Sequence, residues 1–168
     1  QQLTQRLYSA QQTRQDARAY LACTTSTRRW LFELAHTDQI LADETPTPVP
    51  FTRAWFLGLV NYRGQLISVI DLDRFAGAKT PPWQRTDRLL VLSADLPLRC
   101  ALRVAPTTRV VDQTHLRPAN AAPNTLEAIP AWVADRWVAA DRQDYFSVDL
   151  FALMGSPAFL DITQPDIR

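Results

Sequence analysis

Short apolar runs, rich in β-branched and aromatic residues and cut by turn-forming residues, recur along most of this chain and predict strands joined by tight turns. The clearest lies in the stretch 55–72, WFLGLVNYRGQLISVIDL. Two apolar runs, 56–60 and 66–72, flank Asn61, Tyr62, Arg63 and Gly64 and predict a hairpin. Gly64 suits a left-handed position at the end of its turn, where a Cβ costs roughly 1–2 kcal/mol. Gly58, inside the first strand, predicts a bulge or a close backbone approach.

Residues 20–25 and 29–34 predict an earlier hairpin around Ser26 and Thr27, with Trp30, Phe32 and Leu34 on one face at period two. Thr37 with Asp38 reads as the cap of a short helical turn through Leu41, and Pro46, Pro48 and Pro50 impose an extended connection. Asp71 reads as the N-cap of a one- or two-turn helix closed by Gly77. The loop 79–85, with Pro81, Pro82 and Trp83, is the expected boundary between two lobes. Strands are predicted at 88–93, 98–104 and 108–112, then a long connection over 116–130 with room for one helical turn. A last hairpin spans 136–140 and 145–148, and a helix over 149–154 stops at Gly155 and Pro157. Residues 1–19 predict a leader helix of low hydrophobic content, either solvated or packed on the domain or a partner.

The elements do not alternate strand with helix, so the fold class is all-β, and a pair of small barrels fits best. With 168 residues, 46% of them hydrophobic, the chain buries enough surface for one domain or two small fused lobes. Charge is nearly balanced, Lys+Arg 18 against Asp+Glu 17, so nothing draws the whole molecule to nucleic acid or an anionic membrane. Cys23 and Cys100 each sit in an apolar run and share no metal-ligand spacing with the histidines. Both read as buried small hydrophobes, which favours the cytoplasm. No apolar run approaches the ~18 residues of a membrane span.

Catalysis needs a base, nucleophile or metal at fixed spacing. His36 and His115 stand in no metal-binding arrangement; Ser26, Ser68, Ser93, Ser147 and Ser156 stand in no nucleophile elbow; and the glycines form no phosphate-cradling loop. Asp71 and Asp73 invite a metal reading, but capping and solvent exposure account for both, and no cofactor is expected. The alternative to a protein-binding module is a small β-barrel nucleic-acid binder, for which Arg28, Arg29, Trp30, Arg53, Trp55, Arg63 and Arg74 would supply cations and stacking rings. Among apolar neighbours, Trp30, Trp55 and Phe56 read better as core. Trp83, in a polar loop, reads as a lid over the lobe boundary or an exposed contact.

The order Gly58, Leu59-Val60, Asn61-Tyr62-Arg63-Gly64, 66–70, Asp71-Leu72 resembles the signature of the CheW-like domain, the adaptor that couples chemoreceptors to a histidine kinase. The family usually has Leu at the position of Tyr62, and often Pro at that of Ser68. The resemblance implies two side-by-side five-stranded SH3-like barrels over 20–154, the first lobe about 20–78 and the second about 86–148, with a closing helix at 149–154 and a tail at 155–168. It implies partner-binding by Asn61, Tyr62, Arg63 and Gly64, to which the exposed-contact reading adds Trp83; Gly58, Gly64 and Asp71 keep the structural roles read from their turns and cap. A Glu often stands where Gln39 is, placed to pair with the signature Arg, so that ion pair is expected to be missing. The partners implied are the regulatory domain of a CheA-type kinase and the tip of a methyl-accepting chemoreceptor, with no nucleic acid and no membrane insertion. The location implied is cytoplasmic, at membrane-associated receptor arrays. The ending 145–153, YFSVDLFAL, continuing to Phe159-Leu160-Asp161-Ile162, is similar to the PilI-like adaptors of twitching motility and the type IV pilus.

Overall fold

The structure, a computed structural model, describes residues 18–119 and 129–164. The predicted leader therefore lies outside the described residues up to residue 17. Ala19 already opens the first strand.

The strands are β1 (Ala19–Thr24), β2 (Arg29–Glu33), β3 (Thr37–Leu41), β4 (Phe56–Tyr62), β5 (Gln65–Ile70), β6 (Arg88–Leu92), β7 (Cys100–Val104), β8 (Thr108–Asp112), β9 (Arg117–Pro118), β10 (Val133–Val138) and β11 (Asp144–Val148). Three short helices accompany them: α1 (Leu72–Phe75), α2 (Leu150–Gly155) and α3 (Pro157–Leu160). One sheet runs β8-β1-β2-β11-β10-β9, the other β3-β6-β7-β5-β4. Two sheets of six and five strands thus stand where two five-stranded barrels were expected. The extra strand is the two-residue β9, too short to leave a periodic signal.

The division between sheets does not follow the loop at 79–85. β1 and β2 pair into the sheet of β8–β11, while β6 and β7 join β3–β5. Of the pairings that cross that loop, β1 with β8 and β3 with β6 are antiparallel, and two are parallel: Phe146↔Trp30 and Ser147↔Leu31 in one sheet, Ser68↔Cys100 through Ile70↔Leu102 in the other. Hairpin logic sees only neighbours in sequence, so it assigned consecutive strands to one lobe.

Side-chain alternation explains why so many strands are apolar on both faces. Leu21, Cys23, Trp30 and Phe32 face a shared core with Ile70, Leu90, Leu92 and Leu102 of the other sheet and with Leu150 and Leu153 of α2. Tyr20, Ala22 and Leu31 face a second core with Trp137 and Tyr145. Ile67, Val69, Leu89, Val91 and Ala101 face a third, with Val60 and Tyr62. Trp30, Trp55 and Phe56 are core, as expected.

The helical turn predicted over 37–41 is a strand. The turn lies one step earlier, a 3-10 helix at Leu34–His36, and Thr37 Oγ1 donates to Leu34 O at 2.7 Å at its C-terminal end. β3 then pairs with β6 and carries a bulge at Asp38, where two residues oppose one. Asp71 is the predicted N-cap, its Oδ1 accepting from Arg74 N at 3.1 Å. Asp149 caps α2 in the same way, through Ala152 N at 3.0 Å. The expected tail contains α3 and a bridge from Thr163 to Thr52.

Candidate partner-binding surface

The signature residues form the tip of the β4–β5 hairpin. Tyr62 pairs with Gln65, leaving Arg63 (φ 50°) and Gly64 (φ 76°) as the two central residues of the turn. Two successive positive φ values are the requirement of a type I′ turn, whose twist matches that of the strands. Asn61 Oδ1 accepts from Gly64 N at 3.1 Å and closes it. Gly64 has open space around its missing Cβ, so backbone conformation alone selects glycine there.

Gly58 has a different reason. At φ 137° its Cβ would stand 2.1 Å from Thr47 O, because the connection carrying Thr47 bridges to Leu59 with hydrogen bonds of 2.8 and 2.9 Å. The close approach read from the sequence is a backbone against a backbone, beside a bulge between Phe56 and Gly58.

Tyr62 is buried, and its hydroxyl lies 3.1 Å from both Asp38 Oδ2 and Gln39 Oε1 of β3. β3 and β4 are the two edges of their sheet, so this side chain links edges that main-chain bonds do not. Burial first, and the Asp38 carboxylate accepting its proton, hold the phenol above its ordinary pKa. Arg63 is exposed, its guanidinium carbon 5.0 Å from the Tyr62 ring centroid, and that of Arg99 is 5.9 Å from the same ring. The acid expected to be missing at Gln39 is supplied next door: Asp38 Oδ2 lies 4.0 Å from Arg63 Nη1. The bulge brings it there, and unlike the one beside Gly58 it has no glycine to mark it.

Trp83 is half-buried and packs against the core cluster that includes Tyr62. Its loop is tied down by Arg103, whose guanidinium donates to Pro81 O at 2.7 Å and Pro82 O at 3.0 Å and lies 5.7 Å from the Trp83 ring. Arg103 is itself buried on β7, between Asp71 Oδ2 at 3.2 Å and Asp87 Oδ2 at 2.8 Å. The sequence signal was a lone Arg in an otherwise apolar strand, the mark of a buried ion pair.

Solvent exposure does not account for Asp71 and Asp73, since both are buried. Asp73 accepts from Thr25 Oγ1 at 2.7 Å, Thr27 N at 3.0 Å and Trp30 Nε1 at 3.1 Å. Hydrogen-bond donors satisfy Asp73, and Arg74 and Arg103 pair with Asp71; among the described residues no cluster of His, Cys, Asp and Glu could hold a metal ion. Several residues of the nucleic-acid alternative are likewise committed elsewhere: Trp30 and Trp55 are core, Arg53 pairs with Asp161 at 2.6 Å, and Arg74 with Asp71 and Thr80. Cys23 and Cys100 are free and buried, and burial pushes both thiols up to about 12. Among the described residues no helix is long and apolar enough to cross a membrane.

The described residues thus form a mostly β domain of two sheets, with Arg63 at the tip of a hairpin. The model of the CheW-like domain matches residues 19–156, and the chain belongs to that family. Family members are non-catalytic scaffold proteins of chemotaxis. By structure the chain is similar to scaffolding protein TtCheW from Thermoanaerobacter tengcongensis, with a TM-score of 0.66 over 84% of this chain and 95% of that one. Identity between the two is 17%, so the likeness is one of fold. No curated protein matches by sequence.

Proposed function

We propose that this chain is an adaptor that couples methyl-accepting chemoreceptors to a CheA-type histidine kinase in a type IV pilus, twitching-motility system. The observation that carries the reading is the signature turn: an exposed arginine on a two-residue hairpin turn closed by Asn61, within a chain of the CheW-like family. The sheet of β3–β7 docks on the matching regulatory domain of the kinase, and the groove between lobes takes the tip of the receptor hairpin. Asn61, Arg63 and Gly64 form the rim of the kinase contact, with Trp83 beside it. The PilI-like ending over 145–162 supports the pilus branch. The protein works in the cytoplasm, recruited to receptor arrays at the membrane.

No bond is made or broken in this role. Signal passes only if the adaptor binds the receptor's signalling states with different affinities, since equal affinity shifts no population. Affinity purification of the full chain from cell extract tests the reading. A histidine kinase and a methyl-accepting receptor are expected to come with it, and the absence of both overturns it.

A further inference from the structure

Asp38 Oδ2 lies between two donors of opposite consequence. The phenol of Tyr62 is 3.1 Å away, within hydrogen-bond range, whereas the nearest nitrogen of Arg63 is 4.0 Å away, outside it. The phenol also faces Gln39 Oε1 at 3.1 Å, and one phenolic proton serves one acceptor. Turning the Gln39 amide over presents an N–H instead, and the chain of donors then runs from Gln39 to Tyr62 to Asp38.

Arg63 meanwhile remains 69% exposed over the Tyr62 ring. A guanidinium resting on an aromatic face keeps its N–H donors free in its own plane, where a carboxylate is met in bidentate fashion. Arg63 also occupies a left-handed position that Asn fills with less strain, and strain at a surface turn points to a use for the side chain.

We infer that Tyr62 is a positioning residue for Arg63: its hydroxyl bonds Asp38 Oδ2 and holds that carboxylate 4.0 Å from the guanidinium, outside hydrogen-bond range, its ring supports the guanidinium, and the exposed charge is offered to a carboxylate on the partner. This rests on the adaptor reading and adds the chemistry of the contact. Losing the hydroxyl, with the ring kept, releases Asp38 to pair with Arg63 and closes the site from within.

The test is a titration of the full chain against the regulatory domain of the CheA-type kinase, with wild type, Tyr62→Phe, Asp38→Asn and the double variant. Tyr62→Phe is expected to weaken binding about three- to tenfold, the range that one charged contact commands. Adding Asp38→Asn restores it, because a neutral amide does not sequester the guanidinium. A purely structural role for the hydroxyl predicts no such rescue. Unchanged binding by Tyr62→Phe, or a double variant no better than it, overturns the inference. If Tyr62→Phe does not fold, Asp38→Asn alone decides: binding equal to or tighter than wild type supports the inference, and weaker binding overturns it. A wild type that binds neither the kinase domain nor a receptor-tip fragment overturns the adaptor reading, and this inference with it.

Discussion

Trp30 and Asp73 meet across the two sheets. The indole Nε1 of β2 donates at 3.1 Å to a carboxylate on α1, which follows β5 of the other sheet, and both side chains are buried. The same carboxylate accepts from Thr25 Oγ1 and Thr27 N of the β1–β2 turn, so one side chain satisfies three donors and fastens one sheet to the other.

Replacing that carboxylate leaves the Thr27 backbone N–H without its acceptor and the indole with Thr25 Oγ1 alone, at 3.1 Å. Asp73→Ala is expected to lower stability by about 2–4 kcal/mol in urea unfolding, and Asp73→Asn by less, since an amide oxygen still accepts. Equal losses in the two variants would show that charge, not hydrogen bonding, is what the site supplies.

Arg103 is the second buried commitment. Arg103→Ala takes the guanidinium from Asp87, leaves Asp71 with Arg74 alone and unties Pro81 and Pro82, and the expected loss is about 3–5 kcal/mol. A loss below about 1 kcal/mol would mean that water or Arg74 takes over its partners.

These polar ties mark where sequence reading ended. The hairpins, the Asp71 cap and the signature turn were legible because each is written in a few consecutive residues: Asn61 to Gly64, and Asp71 with its helix. The sheet order was not, because the parallel contacts Phe146↔Trp30 and Ser68↔Cys100 join strands whose local patterns are indifferent to partner. Asp38 escaped notice for a related reason. A bulge changes where one side chain aims without changing the pattern around it, so the acid that faces Arg63 was sought at Gln39.

The two cysteines give a test of the core. With both thiols pushed up to about 12 by burial, almost no thiolate exists at pH 8, and access is closed as well. An alkylating reagent is expected to leave Cys23 and Cys100 unmodified in the native protein and to modify both after denaturation. Fast native labelling of either would contradict its place in the shared core.

Gly58 and Gly64 separate two kinds of glycine requirement. Gly58→Ala drives a Cβ into Thr47 O and is expected to cost more than 3 kcal/mol, roughly the size of a severe core substitution, or to prevent folding. Gly64→Ala meets no atom and carries only the left-handed penalty, about 1–2 kcal/mol. Thermal melts should therefore rank wild type, Gly64→Ala and Gly58→Ala in that order, and a reversal of the last two would refute the close approach.

Arg63 is where stability and recognition part. Arg63→Asn places a residue suited to the left-handed turn position, a gain of about 1 kcal/mol or less, and removes the guanidinium from the Tyr62 ring, a loss of about 0.5–1 kcal/mol at an exposed site. The two nearly cancel, so the variant should melt within about 2–4 °C of wild type. Gly64→Val, by contrast, loses roughly 1–2 kcal/mol of fold without removing any charge, and should melt several degrees lower while its folded fraction binds normally. Titration of each against the kinase regulatory domain completes the comparison. Weakened binding by Arg63→Asn at unchanged stability assigns the arginine to the contact surface; a melt as low as that of Gly64→Val makes it a structural residue; and wild-type behaviour in both assays moves the contact elsewhere on the sheet.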